Sequence, residues 1–428
     1  MRPRVSWPIV PLSTIAEFRN GVNYNQSNFG IGIKVIGVSD FQDHVRASFD
    51  QLEEINPDGV VRKEHLLRDG DILFVRSNGN RELIGRSLFV NGLREDVTHS
   101  AFSIRLRFTS SQCYPRFYAY LFRSSLIRQA LSMFGSGTNI SNLNQGILQQ
   151  LKVPLPAIPI QERIASILSA YDDLIENNTH RIRILENMAQ MLYREWFVNF
   201  RFPGHEKVRM VESESGPIPQ SWAVTPLETM CQRITDGSHW SPPNIDSTYR
   251  MASSKDMHRW GLDLSTARTI AKEDFEALVR NDCKPLAGDV LITKDGANYL
   301  KYCFVVEKDI DAVLLSSVAM VRPNPTKLSS HYLSFHLGDP SVKTRLAGRV
   351  SGAAIPRIVL KDFRQFGVLI PPIAVQMAFE RLVEPIVGLC WRLTDKNDNL
   401  RTTRDFLLPK LISGEIPVEA AAELEAIA

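Results

Sequence analysis

The sequence predicts an α+β chain of two similar mixed domains, each followed by a long amphipathic helix of coiled-coil type. Three observations carry this prediction. The apolar seam Ile160, Ile164, Ile167, Tyr171, Leu174, Leu185, Leu192, Trp196 returns as Val375, Phe379, Leu382, Ile386, Leu389, Leu400, Leu407, Leu411. The offset is constant at 215 residues (375 − 160 through 411 − 196), with no insertion. Steps of three and four sustained over this length mark a helical seam, and a copy in register marks an internal repeat. The repeat also reaches outside the helices, since Trp7 with Pro11-Leu12 matches Trp222 with Pro226-Leu227 (222 − 7 = 215).

The remaining elements follow in chain order. Asp69-Gly70-Asp71-Ile72-Leu73-Phe74 resembles Ala287-Gly288-Asp289-Val290-Leu291-Ile292, in each case a glycine turn feeding an apolar strand. Each strand runs into a polar loop, 76–81 in the first half and 294–298 in the second, and loops are where registers slip. Alternating apolar segments at 101–108 and 317–322 predict strands. Helical patterns follow at 117–133 and 332–346, then Gly-Ser loops at 135–140 and 350–355. Final strands at 150–155 and 365–370 end at Pro154, Pro156 and Pro159, and at Pro371-Pro372, which prepare the helix starts. Each long helix spans about 40 residues, roughly 55–60 Å at 1.5 Å per residue. The expected domains are therefore 1–157, a helix 158–201, a second domain 202–372 with linker 202–220, a helix 373–414, and an Ala/Glu-rich tail 415–428.

Composition bounds the function. A content of 44% hydrophobic and 23% charged residues is that of a soluble globular protein. No run of 18 apolar residues predicts a membrane span, and no apolar stretch of signal-peptide length follows the basic N-terminus. The five cysteines are scattered without a CxxC pair, so neither a zinc site nor a disulfide framework is expected, and the expected location is cytoplasmic. A net charge of +3 says little about nucleic acid, but its distribution says more. Residues 97–161 contain no Asp or Glu and carry Arg105, Arg107, Arg116, Arg123, Arg128 and Lys152. Residues 340–361 likewise lack acids and carry Lys343, Arg345, Arg349, Arg357 and Lys361. Two basic stretches at matching positions suggest two anion-contacting surfaces.

Catalytic motifs are absent. There is neither a GxGxxG cofactor loop nor a GxxxxGK[ST] phosphate loop. Ser241-Pro242-Pro243-Asn244 lacks the final aromatic with which a DNA amino-methyltransferase would stack a flipped base. Gly135-Ser136-Gly137-Thr138 is either a phosphate cradle or a flexible turn. The loop Asp236-Gly237-Ser238-His239-Trp240 is read as a recognition loop or a structural turn. Asn178 breaks the first seam, opposite an apolar counterpart at Leu393 (393 − 178 = 215), and either sets register or faces a partner.

These features together resemble the specificity (S) subunit of type I restriction-modification enzymes. The resemblance covers essentially the whole chain. It is carried by Asn139-Ile140-Ser141-Asn142-Leu143-Asn144, Val153-Pro154-Leu155-Pro156 and Ile160-Gln161-Glu162-Arg163-Ile164-Ala165 at the first domain–helix junction. At the second it is carried by Val368, Pro371-Pro372 and Val375-Gln376, together with Pro219-Gln220-Ser221-Trp222 and Gly288-Asp289-Val290-Leu291. Met377 stands where the first junction has Glu162, and Pro356-Arg357 where it has Ser141-Asn142. The resemblance implies two target recognition domains, each binding half of a bipartite, asymmetric DNA site, and two antiparallel coiled-coil helices related by a pseudo-twofold repeat. It further implies a non-catalytic chain without metal or cofactor, serving DNA methylation and phage defence. Two methyltransferase (M) and two restriction (R) subunits would be its partners, carrying S-adenosylmethionine, ATP and Mg2+. Loop position and residue type then nominate DNA contacts: Arg76, Asn78, Asn80, Arg81, Ser136, Thr138 and Asn139 in the first domain, and His239, Lys294, Asn298, Ser351 and Arg357 in the second. Helix pairing is assigned to Ile164, Ile167, Tyr171, Leu174, Asn178, Leu185 and Leu192 with Phe379, Leu382, Ile386, Leu389, Leu393, Leu400 and Leu407. The alternatives are a stand-alone methyltransferase with divergent motifs and a coiled-coil scaffold.

Overall fold

The computed structural model describes residues 7–41, 46–49, 52–77, 83–132, 143–213, 216–296, 299–348 and 357–418. The chain divides into two compact units, Met1–Ile175 with Asn399–Ala428, and Glu176–Asp398.

Unit 1 is built on a four-stranded antiparallel sheet in the order Ala16–Asn20, Ser103–Phe108, Ile72–Val75, Ser87–Phe89. A three-stranded sheet places Phe29–Ile36 between Glu53–Ile55 and Val97–His99, the last pairing being parallel. A short ladder joins Ile9–Pro11 to Lys152–Pro154. The period of two in Ile-Leu-Phe-Val explains how one strand serves two cores. Ile72 and Phe74 face a large core with Phe117, Leu148 and Val153, whereas Leu73 and Val75 face a smaller one with Ile36 and Val97.

Unit 2 repeats that plan. Its four-stranded sheet runs Cys231–Asp236, Val318–Pro323, Val290–Thr293, Cys303–Val305. Its three-stranded sheet sets Tyr249–Ala252 between Arg268–Ile270 and Ala312–Leu314, again with one parallel pairing. Ala223–Pro226 pairs with Gly367–Ile370. The class is thus α+β with an internal repeat.

Two of the expected helices are each broken in two. The pattern at 117–133 forms Pro115–Arg123 and Ser125–Ser132, separated by extended Ser124 (ψ 150°). That at 332–346 forms Ser330–Gly338 and Pro340–Ala347, separated by Asp339 (ψ 137°). The second break was legible, because proline disfavours helical backbone in the residue before it.

The long helices run Ile158–Tyr193, with a π-helical turn at Arg194–Val198, and Ile373–Ile412. The expected ends at 201 and 414 are therefore too late. In unit 1, Ile164, Ile167, Leu168 and Tyr171 share a core with Leu400, Leu407, Leu408 and Leu411. In unit 2, Ala189, Tyr193, Trp196 and Phe197 share one with Phe379, Val383, Val387 and Cys390. Leu185, Leu192 and Ile386 pack on that core while partly buried. Leu389 is half-buried, and Leu393 is buried. Leu174 and Leu382 depart from the expected seam and are exposed. A straight 3.6-residue helix drifts against a 3.5-residue repeat. Hence the inward positions move to Leu168 and to Val383, beside the residues that strict stepping selects. Within unit 2 the helices are antiparallel: Asn178 Nδ2 donates to Asn397 Oδ1 at 2.9 Å, whereas Phe197 stacks edge-on with Phe379 at 5.0 Å. Asn178 is buried in this amide pair.

Two polar devices recur in both units. Arg107 forks onto the buried Asp71 (Nε–Oδ1 and Nη2–Oδ2 both 2.7 Å), as Arg322 does onto the buried Asp289 (2.7 and 2.9 Å). The carboxylates also accept the backbone N–H of Arg68 and Leu286, closing the glycine turns. At the helix starts, Gln161 accepts Tyr114 N–H (2.8 Å) and donates to Pro156 O (2.7 Å). Gln376 likewise accepts Ser329 N–H (2.9 Å) and donates to Pro371 O (2.7 Å). Both glutamines are fully buried, so each start is fastened to its own domain by a satisfied amide.

Candidate nucleic-acid interface

In unit 2 the strands Cys231–Asp236 and Val290–Thr293 deliver their last residues to one place. Gly237 follows the first strand against the carbonyls of Leu314 and Leu315, where a Cβ would lie 2.1 and 2.5 Å from oxygen, so no other residue fits. Lys294 follows the second, fixed by its N–H to Ser317 O (3.0 Å) and its carbonyl from Ile358 N–H (3.1 Å). Its ammonium is 2% exposed and lies 3.2 Å from Asp236 and 3.4 Å from Asp295. Asp236 is 3.4 Å from His239 Nε2, and Asp295 is 3.8 Å from Arg357. The structure therefore brings together three residues nominated from sequence, His239, Lys294 and Arg357, around two carboxylates that sequence reasoning missed.

That geometry corrects the role of Lys294. A buried ammonium held by two carboxylates is neutralised and cannot reach a base edge. It anchors the loop ends instead, leaving the exposed Arg357 and His239 at the rim.

Unit 1 builds the same corner with other side chains. Gly21 meets His99 and Ser100 carbonyls at 2.2 and 2.3 Å from a notional Cβ. Arg76 takes the Lys294 position: its N–H donates to Phe102 O (2.8 Å) and its carbonyl accepts Leu143 N–H (2.9 Å). Asn20, which accepts from Gln145 Nε2 at 3.1 Å, ends the strand where unit 2 has Asp236. Arg76 is half-buried, and among the described residues no carboxylate pairs with it. Asn78, Asn80, Arg81, Ser136, Thr138, Asn139, Asn298 and Ser351 lie outside the described residues.

The acid-free stretches also need correction. Arg105 is buried, pairing with Glu17 (2.9 Å) and donating to Glu64 O, and Arg107 belongs to the Asp71 fork. The acids that neutralise them come from other strands, which a linear scan does not see. In the second stretch Arg345 lies over Phe366, 5.2 Å from its ring centroid, and Lys343 Nζ donates to Lys301 O.

Among the described residues, nucleophiles and metal ligands give no competing centre. Burial pushes the thiols of Cys231 and Cys390 up to about 12 and that of Cys303 to about 11, which keeps them protonated at neutral pH. Among the described residues no three His, Cys, Asp or Glu side chains gather as a metal site, and no helix is long and apolar enough to cross a membrane. The Ser241-Pro242-Pro243-Asn244 segment is tied internally. Arg268 donates to Ser241 Oγ and to Pro242 O, and Asn244 Oδ1 accepts Thr269 N–H.

Residues 4–187 match the family described as the type I restriction modification DNA specificity domain. The chain is 24% identical over 428 residues to a putative type I restriction enzyme MjaX specificity subunit of Methanocaldococcus jannaschii, covering 96% of this chain and 94% of the relative. It is 22% identical over 434 residues to the type I restriction enzyme EcoKI specificity subunit of Escherichia coli, covering 97% and 90%. The fold is shared with the crystal structure of a type I restriction-modification S subunit from M. genitalium, at a TM-score of 0.57 and 14% identity over 95% of this chain and 96% of that one.

Proposed function

We infer that the chain is the DNA specificity subunit of a type I restriction-modification enzyme. It chooses the sequence and leaves the chemistry to its partners. The observation that carries this reading is the doubled corner: two units of equal strand order, each ending equivalent strands in a loop-presenting site that offers an arginine, Arg76 in one and Arg357, with His239 beside it, in the other. Two sites of one plan and different side chains suit a bipartite target whose halves differ in sequence. Arginine suits guanine O6 and N7, and a good bidentate contact discriminates by roughly 1–3 kcal/mol. Phosphate contacts supply the rest of the affinity and make it fall with salt.

The long helices then relate the two half-sites, so that their length sets the spacer, as dimer geometry sets half-site spacing in symmetric regulators. Two methyltransferase subunits dock on the assembly and two restriction subunits complete it. S-adenosylmethionine, ATP and Mg2+ belong to those partners.

Reconstitution tests the reading. The purified chain alone should leave DNA unmethylated, whereas its mixture with the methyltransferase subunit should modify one bipartite sequence, seen by mapping methylated positions. Methylation by the chain alone, or a modified sequence that is not split in two, would overturn it.

A further inference from the structure

We propose that Trp240 is a specificity-determining side chain of unit 2, entering a DNA groove and packing its indole against base edges. The inference rests on the DNA-reading function proposed above. Trp240 is 55% exposed, whereas Trp196, Trp222, Trp260 and Trp391 are all buried. A large ring left in water is informative when its backbone is fixed, because the fold then holds it out. Ser238 does the fixing. Its Oγ donates to Trp240 O (2.7 Å) and accepts Trp240 N–H (3.1 Å). Ser238 is itself buried, bonded through its N–H to Leu314 O (2.7 Å) and through its carbonyl to Ser316 N–H (2.9 Å). On the far side Arg268 holds Ser241 and Pro242. Among the described residues no second ring or cation stacks on the indole.

The occupant is argued from charge. The ring stands on the loop that leaves the Asp236 strand end, beside the corner where Asp236 and Asp295 hold Lys294 and Arg357; Arg268, which ties this loop at Ser241 and Pro242, adds a cation that no carboxylate pairs with among the described residues. A cationic rim around an aromatic tip matches a polyanion whose bases offer apolar edges and π faces. Unit 1 also leaves large apolar side chains in water. The segment following Gly21 leaves Phe29 47% and Ile31 95% exposed, Ile31 standing where the ladder breaks register between Phe29 and Ile33.

The test uses the full chain complexed with its methyltransferase subunit and a pool of randomised duplex DNA, with bound molecules sequenced. Trp240→Ala should lose about tenfold of the base preference at one or two positions of a single half-site. The other half-site, and affinity for poly(dI-dC), should stay within about twofold, and Trp240→Phe should restore part of the preference. An unchanged motif for Trp240→Ala at unchanged melting temperature would overturn the proposal while leaving the DNA-reading function intact. Loss of the methyltransferase subunit with the motif preserved would also overturn it, assigning the ring to a protein contact. Absence of any motif in the unsubstituted complex would overturn both readings.

Discussion

The residue after the strand Ile72–Val75 is Arg76, and the residue in its place after Val290–Thr293 is Lys294. Both take a backbone hydrogen bond from the far loop, from Leu143 and Ile358. Their side chains nevertheless have opposite fates. Lys294 is enclosed by Asp236 and Asp295, whereas Arg76 has Asn20 at the matching strand end. Behind these corners nothing comparable has changed: the Arg107–Asp71 and Arg322–Asp289 forks, the Gln161 and Gln376 clamps, and the crowded Gly21 and Gly237 all coincide. The difference teaches where each kind of constraint acts. Buried polar groups that lose a partner cost stability and so resist change, whereas a side chain at a loop tip answers only to what it touches.

The forks give the largest expected effect. Asp71→Ala and Asp289→Ala each strand a largely buried guanidinium and should each cost about 3–5 kcal/mol in chemical denaturation. A large cost in one unit and none in the other would break the equivalence. The clamps come next. Gln161→Ala and Gln376→Ala leave backbone N–H and C=O groups unpaired, an expected loss of about 1–3 kcal/mol apiece by the same measurement. The amide pair should behave asymmetrically: Asn178→Leu alone takes away the N–H that Asn397 Oδ1 accepts and destabilises by roughly 1–3 kcal/mol, while Asn178→Leu with Asn397→Leu recovers most of that loss.

Titration sharpens the contrast more gently. His331 lies 2.9 Å from both Glu307 and Glu380. Burial alone would lower its pKa, but hydrogen bonds to the two carboxylates outweigh it and raise the value to about 9. Since the free imidazole titrates near 6.5, this stabilisation is complete below that pH and is lost as pH rises through about 9. Unit 1 has no counterpart, because Arg116 and Ala165 occupy the positions 215 residues earlier (331 − 215 and 380 − 215). Burial, helped by Arg105 and Arg345, lowers His99 and His336 to about 3. Both units therefore lose stability as pH falls from about 6.5 towards 3, where the unfolded chain binds the protons. Melting temperature against pH should fall at both ends, and His331→Gln should remove only the alkaline fall.

Much of this fold was legible in sequence. The constant offset announced the repeat, and proline-bounded apolar runs announced the strands and helix starts. Periodicity failed at Leu174 and Leu382, since a strict 3.5-residue step falls short of a 3.6-residue turn. The site was less legible. Linear composition nominated Arg105 and Arg107, and loop position Lys294, as anion contacts, yet Glu17, Asp71 and Asp236 reach them from segments remote in sequence. Trp240 stood in a loop already singled out for His239, but only the structure shows its backbone pinned by Ser238 and its ring exposed.

The most direct test compares the sites modified by complexes carrying Arg76→Ala or Arg357→Ala with that of the unsubstituted complex. Two independent readers predict that each substitution relaxes bases in one half-site, a different half for each, with the spacer unchanged. Relaxation of both halves by either change, or of the same half by both, would contradict the account.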